Sequence, residues 1–359
     1  MAVLGAMAKR IIHIHLGIKG GAERFFVNLV NGLAERGVEQ MALIWPGRVW
    51  RDEIAPVCAI REIHFSRSHL ARAVINWRIA RLIAAFQPQA MMSWMPQATR
   101  WIPNDPRLLT AARLGDYPEK LDYFANCDQL VCNTPDIARH CVSLGWPESR
   151  ATVISNFTAT APCEPLDRAK LDTPADAFVV LGMGRLVGRK GFATLMDAVA
   201  RVEGAYLWLL GEGEDEGALR GQAEKLGLAP RLRMPGWAAN PDPYLMAADV
   251  FCIPSSHEPL GNVILEAWAL RRPVVATASE GPSWLIRDGE NGLLVPTGDV
   301  EALAGAIMQL MADRRAGERL AQAGAARLAE EFSRDVIVNR YMQFFFAGVA
   351  GKSSGASHT

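Results

Sequence analysis

The sequence predicts an α/β protein of two doubly wound domains facing one another across a cleft, and three observations carry that prediction. At 359 residues the chain exceeds the length at which one hydrophobic core usually stops growing. Short apolar runs of strand type alternate with helical patterns in both halves, as in parallel sheets covered on both faces. The alternation breaks once, at the Pro-rich stretch 157–176 with Pro162, Pro165 and Pro174, and then restarts.

In the first half, 10–16 (Arg-Ile-Ile-His-Ile-His-Leu) reads as a short buried strand. Ile18-Lys19-Gly20-Gly21 turns into a helix over 22–36, which Gly37 stops. Strands are expected at 41–45, 90–94 and 129–133. Beyond the break they recur at 178–183, 206–210, 250–254 and 273–277, with helices between them and at 301–311 and 315–331. A last helix near 335–346 carries Tyr341, Phe344, Phe345 and Phe346, too much apolar surface to leave wet. The expected division is a domain over 1–160, a linker over 161–176, a domain over 177–334, a terminal helix over 335–350, and a disordered Ser/Gly-rich tail over 351–359.

Composition narrows the partners. Half of the residues are hydrophobic and 21% are charged, as in ordinary soluble proteins. Net charge is zero, yet 1–160 holds 18 Lys+Arg against 13 Asp+Glu (+5), leaving 20 against 25 (−5) for 161–359. The first half is therefore suited to an anionic surface. No dense basic run with interleaved aromatics occurs, which excludes nucleic acid as the expected partner. The six cysteines follow no CxxC or zinc spacing, so they read as small hydrophobes in a reducing, cytoplasmic compartment. Neither a signal peptide nor a run of ~18 apolar residues is found.

The most informative stretch runs from His257 to Trp268. Glu258 precedes a Leu260-Gly261-Asn262-Val263 turn that opens an apolar helix, and Glu266 lies inside that helix. A helix start presents free backbone N–H groups and a positive end to an anion, while the carboxylates can accept bonds from neighbouring hydroxyls. A ligand anionic in its middle and hydroxylated on both sides fits, as a nucleotide-sugar does. The duller reading of Glu258 is a carboxylate compensating the helix dipole.

Gly182-Met183-Gly184-Arg185, followed by Arg189-Lys190-Gly191, places glycines at a strand end, where a ligand can approach the backbone. Arg185 and Lys190 can clamp a diphosphate and stabilise the charge that develops on it as a leaving group. The alternative is a tight strand–helix turn with solvated basic residues. A dinucleotide fingerprint is excluded, because Val187 and Glu216 stand where the third glycine is required in the two candidate turns. No Asp-x-Asp occurs, so no metal site and no cofactor are expected. The acidic run 214–216 is explained by a helix start.

These motifs, in this order, resemble the retaining glycosyltransferases of two-Rossmann-domain (GT-B) architecture, in particular glycosyltransferase family 4. The resemblance covers nearly the whole chain. It rests on Gly20-Gly21-Ala22-Glu23, Ile154-Ser155-Asn156-Phe157, the turns at 182–191 and 210–213, and Pro235-Gly236. It extends through 254–267, 273–277 and 288–295. By that resemblance Arg185 and Lys190 hold the donor diphosphate, Glu266 the ribose hydroxyls and Glu258 the donor sugar. The amides of Leu260, Gly261, Asn262 and Val263 contact phosphate, Gly236 lies near the base, and Gly20 and Gly21 approach the donor from the other domain. The final helix crosses back to the N-terminal domain. Many relatives carry a histidine after the middle strands of that domain. The comparable stretch 112–117 has none, and Arg113 or Asp116 stands on the acceptor side instead.

The implied reaction moves a sugar from a nucleotide-diphosphate sugar to an acceptor hydroxyl with retention and without metal. Bacterial polysaccharide, lipopolysaccharide or glycolipid assembly is the implied setting. A glycan or lipid-linked acceptor follows, and the stretch 67–86, mixing Arg67, Arg72, Arg78 and Arg81 with apolar residues, either packs on the sheet or lies on an anionic membrane surface. A nucleotide-sugar epimerase and a catalytically silent nucleotide-sugar-binding protein are the competing readings.

Overall fold

A computed structural model describes residues 8–66 and 68–347. The chain divides into two units, one formed by 1–157 with 334–359 and the other by 158–333. The tail expected to be disordered, 351–359, lies outside the described residues, as does Arg67.

The first unit is built on a parallel sheet of seven strands: β1 (Arg10–His15), β2 (Glu39–Ile44), β3 (Ala59–Glu62), β4 (Ala90–Trp94), β5 (Leu109–Leu114), β6 (Gln129–Cys132) and β7 (Ala151–Val153). Their order is β3-β2-β1-β4-β5-β6-β7. From Ile11 to His15 β1 is buried on both faces because helices cover both sides of the sheet. Ile11 joins a core with Phe26 of the helix Gly21–Glu35, and Ile12 joins the opposite core with Ile75 and Ile79 of the helix His69–Phe86. Strand and helix at 10–16 and 22–36 thus stand within one residue of expectation.

The closing helix Arg334–Phe346 packs in this same unit. Val338 meets Gly32 of the helix Gly21–Glu35 so closely that a Cβ at Gly32 would stand 2.6 Å from Val338 Cγ2. Tyr341 and Phe345 are fully buried, each worth about 1.5–3 kcal/mol in area terms. Ion pairs Arg334–Glu35 and Arg36–Asp335, both at 2.5 Å, fix the ends.

The second unit has six parallel strands: β8 (Phe178–Met183), β9 (Ala205–Leu210), β10 (Leu232–Gly236), β11 (Val250–Ile253), β12 (Val274–Thr277) and β13 (Leu293–Val295), ordered β10-β9-β8-β11-β12-β13. Phe178 and Val180 face the helices Phe192–Ala200 and Val300–Ala312, whereas Val179 and Leu181 face the helix Asn262–Ala269. The stretch 161–176, expected to be a linker, is held to this unit. Leu166 N–H donates to Pro243 O at 2.8 Å, and Arg168 bonds Ala247 O, Ala177 O and Asp249. The stretch forms one short 3-10 helix, Arg168–Leu171, its prolines disfavour longer elements, and backbone carbonyls and one carboxylate tie it down.

Candidate functional site

In both sheets the strand order reverses once, between β1 and β4 and between β8 and β11. Open α/β sheets bind ligands at the carboxyl ends of the strands flanking such a reversal, because the connections diverge to opposite faces there and leave a crevice. β8 delivers Gly184 and Arg185 to that point in the second unit, and β11 delivers the run Pro254 to Glu258.

The two loops are locked together. Ser256 N–H donates to Arg189 O at 2.9 Å. Gly191, at φ +69°, lies so close to the second loop that a Cβ there would stand 2.0 Å from Pro254 O. No other residue type fits that backbone and that gap together. Across the seam Lys190 Nζ reaches Glu258 Oε2 at 2.5 Å, with side chains 20% and 13% exposed. Ser255 Oγ donates to the same oxygen at 3.2 Å. Arg185 is exposed and bonds no described side chain.

Glu280, which the sequence motifs do not single out, holds Glu258 from behind. Its Oε2 accepts from Glu258 N–H at 3.1 Å, its Oε1 meets His257 Nδ1 at 2.9 Å, and Gly281 N–H donates to Glu258 O at 2.8 Å. Burial pushes the Glu280 carboxyl up, but the bonds from His257 and the backbone outweigh it, leaving the group below its usual range. A sequence signal existed: Glu280 opens the short helix Glu280–Leu285, where an acidic residue reads as a dipole partner.

The helix Asn262–Ala269 starts at Gly261 (φ 84°) and aims its first-turn amides out of the seam. The Leu260 side chain is buried, so only its backbone can serve a ligand. Glu266 is one turn into the helix, half-buried by area, and no described residue donates a hydrogen bond to its carboxyl. Burial and then the Asp242 carboxylate push it up to about 7. Gly236 ends β10 at φ 86° and bonds Gly211 N–H at 2.9 Å. Among the described residues no three His, Cys, Asp or Glu side chains gather as a metal cluster.

At the reversal in the first unit, His15, Trp94 and Arg113 are register partners across β1, β4 and β5. Gly20 (φ 154°) caps the helix Gly21–Glu35. Ala22, Trp94, Arg113, Gly115, Asp116 and Tyr117 line a cavity of about 240 Å³. Both acceptor-side candidates therefore border one cavity, although Arg113 lies inside β5 and not in a loop after it. Asp116 is exposed, and its Oδ1 accepts from Tyr117 N–H at 2.9 Å.

No sequence argument singled out the two histidines of β1. Both have no exposed surface, and burial pushes His13 down to about 4 and His15 to about 3, so they are neutral near pH 7. Trp94 Nε1–H donates to His13 Nδ1 at 3.3 Å, and Gly17 N–H to His15 Nδ1 at 3.0 Å. His15 thereby braces the turn before Gly20-Gly21, while His13 Nε2–H donates to Gln40 Oε1 at 3.2 Å. His140 is a packing residue, donating to Pro118 O at 2.9 Å.

The stretch 67–86 forms the helix His69–Phe86. Ile75, Ile79 and Ile83 bury one stripe on the sheet, while Leu70, Val74 and Trp77 are 85%, 50% and 58% exposed. The Arg81 guanidinium lies 4.9 Å from the Trp77 ring centre. Among the described residues no helix is long and apolar enough to cross a membrane.

Comparison with known proteins agrees with this geometry. Residues 19–161 match the family described as Glycosyltransferase Family 4, and 177–313 match Glycosyl transferases group 1. The chain is 52% identical to the lipopolysaccharide core biosynthesis glycosyltransferase LpsE of Rhizobium meliloti over 93% of its own length and 98% of that protein. To LpsD of the same organism it is 47% identical, over 95% and 99%. Among solved structures it superposes on Anabaena HepE in complex with UDP and glucose with a TM-score of 0.81, at 20% identity over 94% of this chain and 100% of that one. The lipopolysaccharide outer core galactosyltransferase WaaB matches with a TM-score of 0.75, at 18% identity over 94% and 99%. Two parallel-sheet α/β domains of GT-B type, matched in sequence along nearly their whole length, make this chain a glycosyltransferase that belongs to family 4, the group 1 glycosyltransferases.

Proposed function

We propose that the enzyme transfers a hexose-type sugar, with retention, from a nucleotide-diphosphate sugar to a hydroxyl of a lipopolysaccharide-core or related surface glycan. The observation that carries this reading is the seam between β8 and β11. It combines two cations, a helix start and two carboxylates at the one edge of the second sheet where its connections diverge. In this reading Arg185 and Lys190 bind the diphosphate with the amides of Leu260, Gly261, Asn262 and Val263. Glu258 binds sugar hydroxyls, Glu266 the ribose hydroxyls, and Gly236 leaves room for the base. Gly20 and Gly21 approach the donor, while Arg113 and Asp116 serve the acceptor.

No carboxylate among the described residues stands out as a covalent nucleophile, and in the mechanism that the family resemblance implies the acceptor attacks on the face from which the diphosphate departs. A diphosphate oxygen takes its proton, and Arg185 and Lys190 stabilise the charge left behind. The two relatives named for lipopolysaccharide core biosynthesis support the acceptor class, and HepE, solved with UDP and glucose, supports the donor class. Work at the cytoplasmic face of a membrane, with the helix His69–Phe86 against anionic lipid, is the proposed setting.

A thermal-shift screen of nucleotide-sugars identifies the donor, and NMR of the product then reads the anomeric configuration. An inverted product overturns the retaining mechanism, and absence of any stabilising nucleotide-sugar overturns the donor class.

A further inference from the structure

The cavity of the first unit holds a buried cation without a counter-charge. Arg113 is 5% exposed. Its guanidinium lies 4.7 Å from the ring centre of Phe25 and 5.4 Å from that of Trp94, and Nη2–H donates to Asn156 Oδ1. The Tyr341 hydroxyl also faces the guanidinium, but the buried Nε–H group has no acceptor in hydrogen-bonding geometry. No carboxylate among the described residues forms an ion pair with it, in contrast to the exposed Arg107 and Arg139 of the same unit, which pair with Asp105 and Asp136.

Aromatic faces offset part of the cost of burying such a charge, yet an uncompensated buried guanidinium is costly in a fold that gains nothing from it. The residue facing it leaves the fork open. Gly115 has no side chain, and a Cβ there would stand 3.2 Å from Arg113 Nη1.

We propose that Arg113 receives an anionic substituent, a phosphate monoester or a carboxylate, on the acceptor sugar, so that the enzyme selects acidic over neutral acceptors. This rests on reading the first unit of the glycosyltransferase as the acceptor side. The guanidinium fork matches either anion in a bidentate manner. A pocket built around such a group discriminates strongly against an analogue that lacks it. Asp116, exposed at the rim of the same cavity, repels the anion and so orients the acceptor with its charge inward and its hydroxyls outward.

The test uses the full chain with a nucleoside diphosphate held at saturation, which occupies the donor-phosphate positions. Mannose 6-phosphate, glucuronate and methyl α-mannoside are then titrated by calorimetry. The expected result is that one acidic sugar binds about tenfold or more tighter than the neutral one, the scale of a charge-assisted bond. Arg113→Met removes that preference and Arg113→Lys restores part of it. Mannose 6-phosphate as the winner assigns a phosphate, and glucuronate assigns a carboxylate.

Equal binding of all three sugars by the wild type, or a preference that survives in Arg113→Met, overturns the proposal. So does an acidic sugar that binds only when the nucleoside diphosphate is withheld, since that puts the anion on the donor side. If Arg113→Met does not fold, the wild type and Arg113→Lys still decide. Stabilisation of the wild type by nucleotide-sugars tests the parent reading separately. No stabilisation by any nucleotide-sugar sinks the donor reading, whereas stabilisation without an anion preference sinks only the role of Arg113.

Discussion

Lys190 and Glu258, assigned by their motifs to different parts of a donor, are partners of each other, Nζ to Oε2 at 2.5 Å in a largely buried pair. In the proposed reading a diphosphate arriving at the seam between β8 and β11 would draw Lys190 toward itself. Glu258 would then be free to accept from sugar hydroxyls while Ser255 Oγ, 3.2 Å away, continues to donate to it. The pair holds both groups ready without leaving either charge alone in a half-buried site.

Lys190→Ala is expected to lower turnover by about 10²-fold or more, the scale of removing a donor that stabilises developing charge. It also strands the Glu258 carboxylate, so Tm falls by several degrees. In the double variant Lys190→Ala/Glu258→Ala the Tm recovers in part and turnover does not. Steady-state kinetics and calorimetry on the three proteins separate the two effects. Wild-type turnover in Lys190→Ala would remove Lys190 from the site.

Glu266 gives a pH dependence of defined sign. Its folded-state pKa of about 7 lies above the ordinary carboxylate value, so the folded chain holds a proton that the unfolded chain has lost. Its contribution to stability is therefore complete below pH ~4.5 and declines as pH rises toward 7. Donor affinity runs the other way, because the ionised carboxylate is the better acceptor for ribose hydroxyls. KM for a nucleotide-sugar, whose bridging diphosphate does not titrate there, is expected to fall between about pH 6 and 8. In Glu266→Gln the profile is flat, and a slope that persists in this variant belongs to another group.

Gly191→Ala tests the junction of the two loops. The added methyl would meet Pro254 O at 2.0 Å, at a backbone φ of +69° that L-residues resist. Loss of both Tm and activity is expected, because Lys190 and the run leading to Glu258 are forced apart. An alanine variant that melts and turns over as the wild type does would show that the loops are not held as described.

Metal independence is expected, with Lys190, Arg185 and the helix start at Gly261 supplying the positive charge that a cation would otherwise bring. Assays of the purified enzyme in excess EDTA should keep their rate. Abolished turnover, restored by a divalent ion, would contradict this.

The helix His69–Phe86 should bind vesicles containing anionic lipid at low salt and release them as salt rises. Leu70→Ala/Trp77→Ala removes exposed apolar surface only, so affinity falls while Tm holds. Co-sedimentation that fails with the wild type at low salt rejects the membrane assignment.

Much of the fold was legible in the sequence, and what escaped did so for two reasons. β1, β2, β4, β6, β8, β9, β11 and β12 announce themselves by continuous apolar runs because both of their faces are covered. The edge strands β3, β7, β10 and β13 carry polar residues, a proline or only three positions, since an edge needs less burial and resists pairing with other chains. β5 was hidden for another reason. Its Leu-Thr-Ala-Ala-Arg-Leu run puts an arginine in the core, which apolar periodicity cannot signal.

The site divides in a similar way. Gly184, Arg185, Lys190, Glu258 and Glu266 were legible as candidates because a turn, a cation and a helix start are local features. The ion pair between Lys190 and Glu258 and the grip of Glu280 on Glu258 join residues 68 and 22 positions apart. Only the reversal of strand order brings them to one seam.

The most direct test of the central claim is a crystal structure of the enzyme with a nucleotide-sugar bound. The account predicts the diphosphate within hydrogen-bond reach of Arg185, Lys190 and the amides at Gly261 to Val263, with Glu266 on the ribose and Glu258 on the sugar. A diphosphate lodged away from the β8–β11 seam, touching neither carboxylate, would contradict it.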